Sequence, residues 1–327
     1  MEDINSKILR EGYGLKLLQG TRTRTGFVCK TNDGMKEIKK NNTSEQNIIF
    51  ENDVKNHLIL KGFDKVNPFL NSIDGKSFFD IDGEFYTVEN YFPFEEADLK
   101  DESCIIDSVK ILAEFGNSSV GFSSIIKRKN IDISVIYKKR LRELLKIKKD
   151  MDRKGKYTSF DIIILKNFNM IMDNINTAIN IIDNSDYKNV IDKAQKEKTL
   201  CHNSFKGKNI HLLENGGVII TGLNKCTYDA SITDLADFLR RYMKNEDCNC
   251  EIANKIIEEY NNIRNVSKSD LKVVYGMITF PNKFLKLCNE YYNKRRVCIS
   301  GAMLERFEKC VDDTKRSQDI IKNLKII

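Results

Sequence analysis

No apolar run in this chain approaches the roughly 20 residues a membrane-spanning helix requires, which excludes a helical membrane anchor. The opening stretch, Met1 to Gly12, is polar and has none of the apolar character of a secretory signal, so the expectation is a protein made and kept in the cytosol. Histidine occurs three times, at positions 57, 202 and 211, leaving little for histidine-based metal or triad chemistry. The nine cysteines are an odd number, scattered through a large chain, which argues against a disulfide framework. Cys248 and Cys250 stand close together, but no Cys/His pair lies at zinc spacing, so free thiols are the expectation and no metal is assigned. There is no internal repeat, no low-complexity linker and no G-x-G-x-x-G phosphate loop. Between Leu18 and Phe27 the two glycines, Gly20 and Gly26, are too far apart for one. Arg22 and Arg24 between them read as a solvated hairpin tip.

What is present is a soluble-type composition over 327 residues, 41% apolar and 31% charged, long enough for about two domains. The net charge of +7 is unevenly placed. Residues 127–156 carry 13 Lys and Arg against 4 Asp and Glu, a local +9, and the remainder is near −2. One basic segment on a near-neutral protein, with little aromatic interleaving beyond Tyr137, does not suit a nucleic-acid binder. Its periodicity predicts a helix burying Tyr137, Leu141, Leu144, Leu145 and Met151, with Lys138, Lys139, Arg140, Arg142, Lys146, Lys148 and Lys149 facing out. A solvated face is the plainer meaning, and a docking surface for an acidic partner the sharper one.

The first 95 residues read as strands and hairpins. Asp33-Gly34, Asp74-Gly75 and Asp82-Gly83 are turn signals, with strands predicted at 27–30, 35–39, 69–73, 77–81 and 84–91. A helix is predicted over 45–61. From Asp101 onward the three- and four-residue spacing of apolar positions predicts helices, interrupted by a small hairpin at 209–213 and 218–221. The predicted fold class is therefore α+β, a two-lobed protein-kinase-like arrangement. A small antiparallel β lobe spans residues 1–95 and a large helical lobe residues 96–327.

Chemistry is expected in the run Leu200-Cys-His-Asn-Ser-Phe-Lys-Gly-Lys-Asn, which leads into that hairpin. Its spacing resembles the H-x-D-x-x-x-x-N catalytic loop of aminoglycoside- and choline-type phosphotransferases, where the Asp orients the acceptor hydroxyl and the Asn holds Mg²⁺. Here His202 and Asn209 are in place and Ser204 occupies the Asp position. The second, metal-binding Asp of such enzymes falls on Gly222 in Ile219-Ile-Thr-Gly-Leu-Asn. A serine hydroxyl is no carboxylate base, and glycine offers no oxygen to a hard cation. These four positions therefore read as a vestigial loop with no catalytic residue. In the small lobe, Lys39 stands where a phosphate-binding lysine would be, and Glu51 on the following helix is a candidate partner; both also suit surface charges.

Further stretches carry a more specific likeness. They are Asn56-His-Leu-Ile-Leu-Lys-Gly-Phe, Leu112-Ala-Glu-Phe-Gly-Asn-Ser-Ser-Val-Gly-Phe (with Gly116 where a His is usual), Asn224 through Arg241, and Ile278-Thr-Phe-Pro-Asn-Lys-Phe-Leu-Lys-Leu-Cys-Asn-Glu-Tyr-Tyr-Asn-Lys. Together they resemble the CotS-type spore-coat protein family, a branch of the aminoglycoside-phosphotransferase-like kinase fold, from about Tyr13 to Leu324. The resemblance implies a protein of the sporulating mother cell that enters the spore coat and meets other coat proteins there. With Ser204 and Gly222 as they are, the expectation is a pseudokinase that works by binding, without cofactor. The alternative is a divergent ATP- and Mg²⁺-dependent phosphotransferase of a small hydroxylated or aminated molecule, using Lys39, Glu51 and Asn209 with Glu214 or Asp229 supplying the carboxylate. Independently of family, Phe284, Leu287 and Tyr291 after Pro281 form a packing stripe. Asp234 at the start of the helix over 235–241 reads as structural.

Overall fold

The computed structural model describes residues 3–128, 132–293 and 301–325. The chain opens with a short helix α1 (Ile4–Lys7) that continues as a π-helical turn (Ile8–Gly12), followed by strands β1 (Leu17–Arg22), β2 (Phe27–Thr31) and β3 (Gly34–Asn41). Helix α2 (Glu45–Leu60) comes next, then β4 (Phe79–Ile81) and β5 (Glu84–Asn90). These five strands form one antiparallel sheet in the order β1-β2-β3-β5-β4. Alternation of side chains along β3 sends Ile38 (2% exposed) into a core with Ile8, Leu9, Cys29, Tyr86 and Val88. It therefore sends Glu37 and Lys39 to the opposite face.

The predicted strand over 69–73 does not form. Asp74-Gly75 does make a turn, with Ser72 N–H donating to the Lys76 carbonyl at 2.7 Å, but only Phe69 bridges to the sheet, at Glu89. Phe69 and Phe78 are instead used as core residues against Ile48. The opposite miss is β1, whose side chains are exposed at every position but the first, so no alternation announced it.

After the sheet come β6 (Phe94–Glu96), α3 (Glu102–Ser118), α4 (Ile133–Asp152), α5 (Ser159–Asp183), α6 (Tyr187–Glu197) and β7 (Leu200–Cys201). The hairpin follows as β8 (Ile210–Leu213) and β9 (Val218–Ile220), then β10 (Thr227–Tyr228), which pairs with β7. β6 joins the hairpin to make a three-stranded sheet, β6-β8-β9. The last helices are α7 (Ile232–Tyr242), α8 (Cys250–Ile263), α9 (Lys268–Thr279), α10 (Asn282–Asn293) and α11 (Gly301–Lys322).

Local sequence sets several of these starts. Thr158 and Asp161 form a reciprocal capping box on α5, and Ser267 with Asp270 does the same for α9. Asp132 caps α4 through the Ser134 N–H. α9 lies so close against α5 that a Cβ on Gly276 would stand 2.9 Å from Ile182 Cδ1. Of the predicted packing stripe, Phe284 and Leu287 are 1% exposed and Tyr291 stacks on Phe160 at 4.2 Å. Asp234 is buried in the first turn of α7.

The chain divides into two compact units. One joins residues 1–99, 114–129 and 197–228, so that the catalytic-type loop and its hairpin group with the five-stranded sheet; the other comprises the helical remainder. Among the described residues no helix is long and apolar enough to cross a membrane. The eight described cysteines are free, and among the described residues no cluster of His, Cys, Asp or Glu is suited to a metal; Cys298 lies outside them.

Candidate functional site

On the polar face of the five-stranded sheet, Glu37 in β3 lies opposite Glu89 in β5 in the antiparallel register. Two carboxylates so placed repel unless cations intervene. Lys39, two residues along the same face, puts its Nζ 2.9 Å from Glu89 Oε2 and 3.0 Å from Glu37 Oε2. A second lysine, Lys55, comes from α2, donates to the other Glu89 oxygen and lies 3.5 Å above the Phe69 ring. Lys55 and Glu89 are 4% and 6% exposed. Burial alone would push the Glu89 carboxyl up, but Lys55 and Lys39 overcome it and hold the pKa at about 2. Lys39 is correspondingly raised: burial lowers it, and Glu89 and Glu37 more than compensate.

The expected partnership of Lys39 with Glu51 is therefore not formed. Glu51 points from α2 one turn before Lys55 and among the described residues makes no ion pair. Burial raises its pKa; Lys55 draws it down, Glu89 pushes it up, and Lys39 and Arg128 oppose the rise more weakly. In effect the helix contributes the cation and strand β5 the anion. Sequence pattern missed Lys55, Glu89 and Glu37. The available signal was the Glu37/Lys39 alternation on one strand face and Lys55 at one helical turn from Glu51.

Beside these charges is a cavity of only about 30 Å³, bordered by Lys39, Glu89, Asn90, Phe94, His211 and Thr221. Phe94 of β6 stacks on His211 of β8 at 3.6 Å and 4°, filling space with rings. Ligand pockets for drug-sized molecules run to roughly 300–1,000 Å³, well above the size of this space.

His202, Ser204, Asn209 and Gly222 lie together. His202 is fully buried after β7, between the edges of Phe115 and Phe205, and its Nδ1 accepts the Ser204 N–H at 3.2 Å. Asn203 takes a left-handed conformation, φ 58°, and its carboxamide donates to Thr227 Oγ1 at 2.7 Å. Asn209 Nδ2 donates to both the Ser204 carbonyl (2.7 Å) and the Ser204 hydroxyl (3.0 Å). The Asn209 carbonyl accepts the Thr221 N–H at 2.9 Å, which sets the next residue, Gly222, against the loop. Gly222 has φ +84°, and a Cβ there would meet Asn209 Nδ2 at 2.7 Å. An aspartate at this position would thus be strained by the backbone, and the Asn209 carboxamide would have to shift to admit its Cβ.

Arg128, one of the cations of the basic segment, also belongs to this unit. Its guanidinium lies 3.8 Å over the Phe50 ring and donates to the carbonyls of Asn224 (2.8 Å) and Cys226 (2.6 Å) and to Asn47 Oδ1 (2.8 Å). It ties α2 to the segment just after Gly222. Glu214 is exposed at the hairpin turn, and Asp229 accepts the N–H of Ala230.

A family model described as "Spore coat putative kinase YutH" matches residues 6–324. The chain belongs to this spore-coat kinase family. Its fold is that of the two-lobed phosphotransferases. An aminoglycoside phosphotransferase from Alicyclobacillus acidocaldarius superposes with a TM-score of 0.83 at 16% identity, over 94% of this chain and 91% of that one. The AMP-bound spectinomycin phosphotransferase APH(9)-Ia gives 0.66 at 14% identity, over 98% of each. The amicoumacin kinase hAmiN, in complex with AMP-PNP, Ca²⁺ and Ami, gives 0.60 at 11%, over 99% and 96%. At such identities the likeness concerns the fold. No curated protein sequence matches the chain.

Proposed function

We propose that this member of the spore-coat kinase family does not transfer phosphoryl groups and acts by binding other proteins during coat assembly. The observation that carries the proposal is the environment of Gly222: the position read as that of the metal-binding carboxylate holds a glycine at φ +84°, a backbone conformation that strains any other residue. At the other position the Ser204 hydroxyl accepts a hydrogen bond from Asn209 and offers no base. Loss of members of a catalytic unit commonly lowers rates by about 10⁴-fold or more. The 30 Å³ cavity beside Lys39 supports the same conclusion, as does the commitment of Lys39 to Glu89 and Glu37. In this reading the protein works without ATP or Mg²⁺.

In this reading the protein is made in the mother cell cytoplasm and carried into the coat by contacts with acidic coat proteins. The surface we assign to them is α4. There Tyr137, Leu144, Ile147 and Met151 are buried while Lys139, Arg142, Lys146 and Lys149 are exposed. Neither nucleic acid nor a membrane is a partner in this reading.

A thermal-shift titration of the full chain with ATP, with and without Mg²⁺, tests the proposal. The expected result is no shift. Ligand at 100 times its dissociation constant would add about 2.7 kcal/mol, readily seen. A Mg²⁺-dependent shift would overturn the proposal in favour of a divergent phosphotransferase acting on a small hydroxylated or aminated molecule.

A further inference from the structure

The helical unit contains a cavity of about 460 Å³, walled by α7, the junction of α9 with α10, and α11. Its size lies in the range of small-molecule sites. Six cations line it, Arg240, Arg241, Lys244, Lys283, Lys286 and Arg306, against two carboxylates, Asp237 and Asp313. Both carboxylates are already committed. Asp237 is held by Arg240, and Asp313 takes Lys283 at 3.0 Å and Arg316 at 2.9 Å. Among the described residues, Arg241, Lys244, Lys286 and Arg306 form no ion pair. The excess positive charge of the wall is therefore uncompensated.

Two buried donors on the same wall are also unused. Arg241 Nε has no hydrogen-bond partner. Asn174 is 7% exposed; its Oδ1 accepts from Gln318, and its Nδ2 donates to nothing. Unsatisfied buried donors are uncommon and costly unless something accepts from them. The first turn of α10, at Asn282 and Lys283, opens onto the cavity too and adds the positive end of a helix dipole. The Lys244 ammonium is held below its ordinary pKa, first by partial burial and then by repulsion from Lys283, Arg241 and Arg240. An acceptor with negative charge would relieve every one of these features at once. The rest of the lining is mixed, apolar at Met243, Ile278, Phe280 and Pro281 and polar at Thr314 and Ser317.

We propose that this cavity is a binding site for a small organic phosphate, the phosphate meeting Arg241, Lys244 and Asn174 and the apolar body resting on Phe280 and Met243. The site is separate in residues and in chemistry from the loop at 202–222, and it stands whether or not that loop is catalytic.

Isothermal titration of the full chain with phenyl phosphate, and with benzyltrimethylammonium as the cationic counterpart, tests it. Saturable binding of phenyl phosphate and none of the cation is expected. Arg241→Gln should weaken binding about tenfold or more, as loss of a charge-assisted contact does. Because Arg241 is partly buried, the exposed pair Lys244→Gln with Lys286→Gln provides a variant that keeps the fold. It should weaken binding comparably, whereas Lys139→Gln with Lys146→Gln on α4, the same change in net charge, should leave it unaltered. Absence of saturable binding, or equal weakening by the α4 pair, would overturn the site.

Discussion

Gly222 and Asn209 are packed so that the glycine's missing side chain is part of the fit: a Cβ on residue 222 would stand 2.7 Å from Asn209 Nδ2, on a backbone with φ +84°. Restoring the carboxylates of an active phosphotransferase is therefore not a simple reversal. Gly222→Asp should destabilise the protein by about 1–3 kcal/mol, the usual cost of holding a non-glycine residue in such a conformation. Gly222→Ala should show most of the same loss. The double variant Ser204→Asp with Gly222→Asp should remain without ATP turnover. Urea unfolding of the single variants and a coupled ADP assay on the double variant check this. Vigorous turnover by the double variant would show that the site is only two side chains from activity, against the argument from backbone geometry.

Glu89 joins β5 to β3 and α2 by taking Lys39 on one oxygen and Lys55 on the other. Glu89→Gln leaves Lys55 buried without its ion-pair partner and should cost about 3–5 kcal/mol, as removal of one member of a buried pair does. The pH dependence has a definite sign. With the folded pKa held at about 2, below the ordinary value of roughly 4.3, the contribution is fully present above pH ~4.3 and disappears as the pH falls toward 2. The wild type should lose stability through that window, and the Glu89→Gln variant should be flatter across it. Parallel acid-unfolding curves would refute the assignment.

The contrast between these two sites shows what a sequence exposes. His202, Ser204, Asn209 and Gly222 sit in a short loop and hairpin whose spacing is itself the geometry, so their assembly was legible from residue order. The Lys39–Glu89–Lys55 cluster was not. It depends on which residue of β5 faces Glu37 across the sheet, and on the rotation of α2 about its axis, and neither is fixed locally. Lys39 and Glu51 were read as a pair because each lies on the right element, whereas tertiary packing turned Lys55 inward. In α4 a similar one-residue ambiguity placed Leu145 in the core; Ile147 is buried and Leu145 is 45% exposed. The edge strand β1 gave no signal because its side chains face solvent on both sides. The capping boxes of α5 and α9, by contrast, involve residues three apart and act alone.

Glu51 provides a prediction of opposite sign to Glu89. Burial raises its folded pKa, so the folded state binds the proton more tightly than the unfolded chain, and stability falls as pH rises through the interval from the unfolded to the folded pKa. Glu51→Gln should raise the melting temperature at pH 7.5 and give no gain near pH 3, where the wild-type group is protonated in both states. A loss of stability at pH 7.5 would mean that the carboxylate is a net attractive partner of Lys55, and a kinase-type role for the residue would regain force.

Arg128 should be the one cation of the basic segment whose loss is felt inside the protein. Arg128→Lys removes the fork that reaches two carbonyls and Asn47 and the plane that covers Phe50, so a loss of about 1–3 kcal/mol is expected. Hydrogen exchange should also quicken at Cys226 and its neighbours. A variant as stable and as protected as wild type would rule out the tie between α2 and the segment after Gly222.

The cations of α4 should behave in the reverse manner. Lys138 is paired with Asp183 at 2.7 Å, Arg140 with Glu143 and Lys148 with Asp152, so these three belong to local ion pairs. Lys139, Arg142, Lys146 and Lys149 are exposed and form no ion pair among the described residues. Exposed charges contribute little to folding, typically within about 0.5 kcal/mol, but a cluster of one sign steers and selects an acidic partner. Reversing these four to Glu should leave the melting temperature within a degree or two while reducing the amount of protein recovered in purified coats. Substituting Ala should give an intermediate loss, because it removes attraction without adding repulsion. If the fourfold Glu variant enters the coat at wild-type levels, α4 is only a solvated face, and the binding surface must be sought elsewhere on the molecule.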